Sequence, residues 1–135
     1  VVITDTPTHI SDSVLAFFDS SDQIIEVITY DHTTLVNTRA IGQTFEAMGY
    51  PVEKVRYLLN RSDSAGGSDP RAIVEMLGRE PDFRLVSDGR LVVESNNQGV
   101  PFVLADPTAQ ISVDMMRIAT TLLAPPVPVA AGARR

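Results

Sequence analysis

Polar side chains that follow apolar, strand-like runs are the residues of this chain best suited to chemistry. Asp5 comes just after Val1–Ile3, and Asn60 and Arg61 come directly after Val55–Leu59. Because ligands of open α/β sheets bind at the carboxyl ends of the strands, an acid at the first strand end is well placed to hold a metal or a phosphate-linked water. The alternative role for Asp5 is local, since a carboxylate in a turn also accepts hydrogen bonds from nearby backbone N–H groups.

Four β-rich runs alternate along the chain with predicted helices, and they are the elements that position these side chains. The runs are Val1–Ile3, Gln23–Thr29, Val55–Leu59 and Phe83–Val86. The first has no alternating polarity, which is typical of a strand buried on both faces of a parallel sheet, and Pro7 ends it because proline has no N–H to donate. The repeated order of strand and helix predicts an α/β fold, a parallel sheet with helices on both faces.

Helix boundaries are predicted from capping residues and apolar stripes. Ser11 is the predicted N-cap of the first helix, and the second helix is predicted to run from Thr33 or Thr34 to Met48. Asp69 and Pro70 are predicted to begin the third helix. Asp88 and Gly89 are predicted to begin a fourth helix that ends at Gly99, and Thr108 is predicted to cap the last one. Val100–Leu104 is predicted as an extended connection. Residues 1–124 are predicted to form the folded domain, and the proline-rich residues 125–135 a flexible tail.

The composition excludes several classes of protein. The 135 residues are 44% apolar and 21% charged, which is typical of one folded domain. There is no cysteine, so disulfides, thiolate metal sites and cysteine catalysis are excluded, and His9 and His32 are too far apart in sequence to predict a zinc site. The formal net charge of −6 argues against a nucleic-acid surface. No apolar run approaches the length of a membrane span, so the cytoplasm is the predicted location.

Three segments share a pattern in their order and spacing: Val2–Pro7, Leu58–Arg61, and Leu85–Asp88 followed by Glu94–Pro101. Together they resemble the carboxyl-terminal half of MinD/ParA-type deviant P-loop ATPases. The stretch from Met48 to Arg61 is most similar to the CpaE/TadZ branch, which is associated with tight-adherence pilus assembly and polar positioning. The resemblance covers nearly all of residues 1–124, and it implies a three-layer P-loop NTPase-like fold that lacks the P-loop strand.

The resemblance implies roles on the phosphate side of an ATP site for the first segment. Asp5 corresponds to the Walker B-type acid, which holds the water shell of Mg²⁺ and is the catalytic residue that the resemblance assigns. Thr6 and Pro7 correspond to the start of the switch that responds to the γ-phosphate.

The other two segments correspond to the base side of that site. The resemblance implies that Asn60 binds the adenine edge, that Arg61 flanks or covers the base, and that Val86 and Asp88 complete the base pocket. The sequence departs from the family at Leu85–Asp88, where the usual proline is replaced by Val86. Each residue also has a local alternative: Asn60 as a turn residue, Arg61 as a solvated cation and Asp88 as a helix cap.

The sequence lacks the loop that grips phosphates in these ATPases. The adjacent pair Gly66-Gly67 is followed by Ser68–Pro70 without a lysine, and Lys54, the only lysine, precedes a strand. Because the chain begins inside a predicted strand, we expect it to be a piece of a longer protein whose P-loop precedes Val1. ATP and Mg²⁺ are then cofactors of that parent, and we predict that this chain alone neither hydrolyses ATP nor binds it tightly. The missing strand predicts that the remaining strands close up, swap between chains or pair with a second copy.

The sequence suggests three functional hypotheses. The first is half of an ATP-binding switch that positions or assembles pilus or polarity proteins through ATP-dependent homodimerisation, in the cytoplasm at the cell pole. The second is a degenerate ATPase-like scaffold that acts only by protein binding. The third, a receiver domain phosphorylated at Asp5, needs further acids beside it and a lysine at a later strand end, and neither is present. Direct membrane anchoring is not predicted, because Pro125-Pro126 follows the last helix and Arg134-Arg135 is a short basic cluster.

Overall fold

Three parallel strands form the sheet, in the order β1 (Ile24–Ile28), β2 (Val55–Asn60) and β3 (Phe83–Leu85). β2 is central: Ile24 to Ile28 of β1 pair with Val55 to Leu59, and Leu58 to Asn60 pair with Phe83 to Leu85. The strands are rich in aliphatic and β-branched residues, and each parallel connection between them passes through a helix. The predicted parallel α/β sheet is confirmed for these three strands.

The structure is a computed structural model that describes residues 1–64 and 70–124. The chain divides into two units, Val1–Ser87, which holds the sheet, and Asp88–Arg135. The predicted helix cap Asp69 and the predicted tail 125–135 lie outside the described residues.

The helices of the first unit are α1 (Asp12–Ser20), α2 (His32–Ala47) and α3 (Pro70–Leu77), with a short 3₁₀ turn at Val52–Lys54 before β2. Ser11 caps α1 as predicted, accepting a hydrogen bond from the Val14 N–H at 3.4 Å. α2 begins earlier than predicted because Asp31 is its N-cap and accepts from the Thr34 N–H at 2.8 Å.

The core of the first unit lies between the sheet and helices α2 and α3. It is built from Ile24, Ile28, Leu35, Phe45, Val55, Tyr57, Leu59 and Ile73. The ring of Phe45 packs edge-on against Phe18 of α1, with 5.4 Å between centroids, and lies 5.7 Å from Tyr50. Burying these side chains is the main stabilising term, because apolar area removed from water contributes about 25 cal/mol per Å².

β3 pairs only with the second half of β2. Along the first half of β2, two side chains supply hydrogen bonds to its backbone. The carboxylate of Asp82 accepts from the Tyr57 N–H and from the Arg56 guanidinium, both at 2.8 Å. The guanidinium of Arg79 donates to the Val55 carbonyl and lies over the Tyr57 ring at 4.6 Å from its centroid. β2 is thereby held along a stretch of its edge that no strand of residues 1–64 or 70–124 covers.

The predicted first strand does not form, and this prediction was wrong. Val1–Ile3 lies outside any helix or ladder, and its three side chains are 91–100% exposed. β-forming side chains make a strand only where a neighbouring strand offers N–H and C=O groups to pair with, and the described sheet brings no such neighbour to this run.

The second unit contains α4 (Gly89–Gln98), α5 (Phe102–Ala105) and α6 (Gln110–Leu123). α4 ends as predicted at Gly99, whose φ of 66° is the left-handed conformation that favours glycine. The predicted extended connection Val100–Leu104 is wrong, because Phe102–Ala105 is helical.

The predicted cap Thr108 is also wrong. α6 begins after Ala109, and the Asp106 carboxylate accepts from the N–H groups of Thr108 and Ala109 at 3.0 and 3.1 Å. Asp106 therefore performs the role that the sequence analysis gave to Thr108. Hydrogen bonds from Thr108 lower the pKa of this carboxyl.

Glu26 places a carboxyl group on the covered face of the sheet. Its side chain projects on the same face as Ile24 and Ile28, beside Tyr57 of β2, and its buried Oε2 atom has no hydrogen-bond partner. Desolvation raises the pKa of Glu26 from about 4.5 to about 7, and a hydrogen bond from Thr38 of α2 opposes only part of that shift. The folded unit thus favours the protonated acid.

Truncating the centre of the core tests the packing. Leu59→Ala removes a fully buried side chain from β2, and we expect a loss of about 2–5 kcal/mol in the free energy of unfolding, measured by urea denaturation. Val52→Ala in the same unit removes a side chain that is 62% exposed and should change stability by less than about 0.5 kcal/mol. Equal losses in the two variants would contradict the assignment of the core.

Replacing Glu26 tests its protonation. Because its pKa is higher in the folded state, its contribution to stability is fully present below about pH 4.5 and is lost as the pH rises towards about 7. The free energy of unfolding of the native chain should therefore fall across this window relative to Glu26→Gln, in denaturation series at several pH values. The exposed control Glu53→Gln should keep the native pH profile, and identical profiles for the native chain and Glu26→Gln would refute the burial of this acid.

Candidate functional site

The carboxyl ends of β2 and β3 are tied together in the first unit. The Ser62 N–H donates to the Leu85 carbonyl at 2.9 Å, and the Ser87 N–H donates to the Asp63 carboxylate at 2.7 Å. These two hydrogen bonds hold the turn after β2 against the loop after β3. Asn60, Arg61 and Val86 lie on this shared stretch, which we call the β2–β3 rim, residues 60–63 and 85–87.

The turn after β2 is sharp and has an unusual backbone. Arg61 has a φ of 53°, and among the described residues it is the non-glycine with a positive φ. The Asn60 Oδ1 atom accepts the Arg61 N–H at 2.9 Å, which supports this conformation. A left-handed residue without glycine costs about 1–2 kcal/mol, and such strain is concentrated at functional sites.

Asn60 therefore shapes the turn, as its local alternative predicted. This contact uses one of the two lone pairs of the Asn60 side-chain oxygen. The other lone pair and the two N–H donors of the side-chain amide can still form hydrogen bonds. Asn60 is half-buried, whereas Arg61 is exposed. The rim thus presents an amide and a guanidinium side by side.

The loop after β1 adjoins the same turn. The Tyr30 hydroxyl lies 3.3 Å from the Ser62 carbonyl and donates to it. Asp31 is committed to its helix, because hydrogen bonds from the hydroxyls of Thr29 and Thr34 and from the Thr34 N–H lower the pKa of Asp31 to about 2. It remains an ionised cap rather than a general base.

Asp5, Thr6 and Pro7, the residues predicted for the phosphate side, do not follow a strand that ends at this rim. Asp5 and Pro7 are exposed and Thr6 is half-buried, in a segment that has neither helix nor strand. The predicted position of Asp5 at a strand end is therefore wrong, although its assignment as a Mg²⁺-binding acid stays a prediction. In residues 1–64 and 70–124 no three His, Asp or Glu side chains are grouped to hold a metal.

Asp88 opens the second unit and is the N-cap of α4. Its carboxylate accepts from the Leu91 N–H at 3.0 Å. The cap alternative for Asp88 is confirmed, and its place beside a base stays a prediction.

Lys54 lies at the amino end of β2. Its ammonium group donates to the Asp19 carbonyl and sits 4.8 Å from the centroid of the Tyr50 ring. The only lysine of the chain therefore cannot grip a phosphate at the carboxyl end of that strand.

A cavity of about 260 Å³ lies elsewhere, between α2 and α3. Its lining includes Arg39, Glu46, Tyr57 and Glu75, and none of the predicted site residues. Gly42 leaves room there, because a Cβ atom at this position would come within 3.2 Å of the Tyr57 hydroxyl. The cavity is distinct from the β2–β3 rim.

Solved structures with similar folds include a ParA family ATPase and MinD proteins. A ParA family ATPase from Chlorobium tepidum TLS matches with a TM-score of 0.74 and 20% identity, over 83% of this chain and 46% of that one. MinD from Pyrococcus horikoshii OT3, solved with Mg-ADP, gives 0.71 and 18%, over 88% and 48%. A chain of the MinC:MinD cell division protein complex of Aquifex aeolicus gives 0.70 and 17%, over 90% and 50%. The sequence matches no family model and no curated protein significantly.

The chain therefore has the fold of part of a MinD/ParA-type structure, a parallel three-stranded sheet with helices. It spans about half the length of these neighbours. Across the described residues no helix has the length and apolar character that crossing a membrane requires.

Sequence reasoning missed Asp63 and Tyr30. Asp63 stands in a polar loop, Arg61–Ser64, where an acid is ordinary, and nothing local shows that its partner is the Ser87 N–H. The adjacent Asn60-Arg61 pair was the available signal, and the structure places it at the end of β2.

Relieving the backbone strain at Arg61 tests the geometry of the turn. Arg61→Gly should raise the free energy of unfolding by about 1 kcal/mol relative to Arg61→Ala, because glycine adopts φ near 53° without a Cβ clash. The alanine variant removes the same side chain and is the matched control. Equal stability of the two variants in urea denaturation would show that residue 61 is not left-handed in solution.

Proposed function

We propose that this chain is the adenine-binding half of an ATP-dependent switch of the CpaE/TadZ branch, which assembles or positions pilus or polarity proteins. The observation that carries the proposal is the β2–β3 rim, where Asn60 and a left-handed Arg61 are held against the loop after β3 in a MinD/ParA-type fold. The neighbour solved with Mg-ADP supports the choice of ligand. The segments that resemble this branch support the choice of output.

The rim suits a purine base chemically. The Asn60 amide nitrogen supplies donors for the acceptor atoms of the ring, and its oxygen keeps acceptor capacity for an exocyclic amine. The Arg61 guanidinium is planar and weakly hydrated, so it stacks on an aromatic base. Val86 supplies a half-buried apolar contact at the loop after β3.

The phosphate side of the proposed site is incomplete within these 135 residues. Asp5 is the carboxylate for the water shell of Mg²⁺, and one carboxylate plus phosphate oxygens is a usual Mg²⁺ ligand set. Thr6 and Pro7 are the proposed switch. The loop of backbone N–H groups and lysine that holds the phosphates belongs, in this proposal, to the remainder of a longer parent.

The proposed output is ATP-dependent homodimerisation of the parent in the cytoplasm, at the cell pole, with a protein partner. The MinC:MinD complex among the neighbours supports protein binding as the mode of action. The alternative is a scaffold that binds no nucleotide. The loop after β3 favours it, because Val86 stands in place of the family's proline and the exposed Ser87 donates its N–H to Asp63.

A nucleotide titration distinguishes the switch from the scaffold. Adenosine should shift the amide resonances of residues 60–63 and 85–87 with millimolar affinity, and ATP with Mg²⁺ should bind no more tightly, because the sequence has no glycine-rich loop with a lysine to hold the phosphates. Cytidine should shift these resonances less. Micromolar binding of Mg-ATP in calorimetry would refute the prediction that this chain alone does not bind ATP tightly.

Variants localise the effect. Asn60→Ala should abolish the adenosine-induced shifts, whereas Asn97→Ala, an exposed asparagine of α4, should leave them unchanged. Shifts that survive Asn60→Ala, or that cluster outside the rim, would contradict the proposed base site. The absence of any adenosine response would favour the scaffold.

A further inference from the structure

Asp63 joins the two halves of the β2–β3 rim through its side chain. Its Oδ1 atom accepts the Ser87 N–H at 2.7 Å. The other tie, from the Ser62 N–H to the Leu85 carbonyl, joins backbone to backbone and needs no particular side chain. A substitution at residue 63 therefore removes one of the two ties and leaves the other in place.

The turn after β2 restrains the backbone of Asp63. The Ser64 N–H donates to the Arg61 carbonyl at 3.0 Å, which closes Arg61–Ser64 into a turn. Asp63 lies inside this turn, directly after the two residues that the proposed base site uses. Its carboxylate therefore reaches the loop after β3 from a backbone that is held relative to Asn60 and Arg61.

Val86 lies between the two ties. Leu85 on one side of it and Ser87 on the other are each hydrogen-bonded to the turn after β2. The ladder between β2 and β3 ends at Leu85, so the Asp63 bond is the one that continues the attachment beyond the strand. Losing this bond removes the restraint on the Ser87 side of Val86.

We infer that Asp63 is a positioning residue of the proposed base site, which holds the loop after β3 at the spacing from the turn after β2 that one purine ring can bridge. This inference rests on the proposed function and adds to it a residue that contacts the loop rather than the base. A purine ring must meet the Asn60 amide and the Val86 side chain at once. An arrangement formed before binding gives higher affinity, because less conformational freedom is lost when the ligand binds.

The role requires an acceptor oxygen rather than a charge. Asp63 forms no ion pair within residues 1–64 and 70–124, and a single oxygen makes its contact with Ser87. Asparagine keeps an oxygen acceptor at this position, whereas alanine has none. The variants Asp63→Asn and Asp63→Ala therefore separate the hydrogen bond from the negative charge.

The first measurement needs no ligand. Water exchange of the Ser87 amide, measured by NMR on the full chain, should be about fivefold faster in Asp63→Ala, because one intramolecular hydrogen bond contributes about that factor. The exchange rate should be unchanged in Asp63→Asn. Because Asp63 is exposed, both variants should remain folded, which circular dichroism verifies.

The second measurement is an adenosine titration followed at the Asn60 side-chain amide. Asp63→Ala should bind adenosine about fivefold more weakly than the native chain, and Asp63→Asn should bind it with the native affinity. The matched control is Glu53→Ala, which removes an exposed acid before the amino end of β2. It should equal the native chain in both measurements.

The outcomes separate this inference from the proposed function. Native affinity in Asp63→Ala, or equally weakened binding in Asp63→Asn, would overturn the positioning role and leave the proposed base site standing. An unchanged Ser87 exchange rate in Asp63→Ala would also overturn that role. A native chain that shows no adenosine response would instead refute the proposed function, and the positioning role with it.

Discussion

The hydrogen bonds along both sides of β2 are the interaction on which the first unit depends. Buried backbone N–H and C=O groups must be paired. β2 meets this requirement with β1 on one side and β3 on the other, and with Asp82 and Arg79 where β3 has not yet begun. The apolar side chains of β2 then pack against α2 and α3. Where no partner strand is present, as for Val1–Ile3, the same kind of residue remains exposed.

The β2–β3 rim is a consequence of this arrangement. Because β2 and β3 are parallel and paired up to Asn60 and Leu85, their polar ends emerge side by side. The Ser62–Leu85 and Ser87–Asp63 hydrogen bonds fix them there, and Asn60 holds Arg61 in the left-handed region. The proposed site is built on strand ends that the core immobilises, which is the placement that accurate ligand recognition requires.

The sequence predicted those parts of the fold in which local chemistry and packing agree. The strands around Val27, Leu58 and Phe83, the Ser11 and Asp88 caps and the stop at Gly99 were all predicted from residue types. Predictions failed where the outcome depends on a distant partner. Val1–Ile3 has strand-forming residues but no adjacent strand, and Asp106 displaced Thr108 because its carboxylate reaches two backbone N–H groups at once. The Asp63–Ser87 contact was also unpredictable, since it joins loops 24 residues apart in sequence.

The central claim is that the side-chain amide of Asn60 and the left-handed Arg61 form a surface for a purine base. Intermolecular nuclear Overhauser effects between adenosine and the ¹³C,¹⁵N-labelled chain test it most directly. The account predicts contacts from the adenine ring protons to the side-chain amide protons of Asn60 and to the Val86 methyl groups. Contacts confined to the cavity between α2 and α3, or to the second unit, would contradict it.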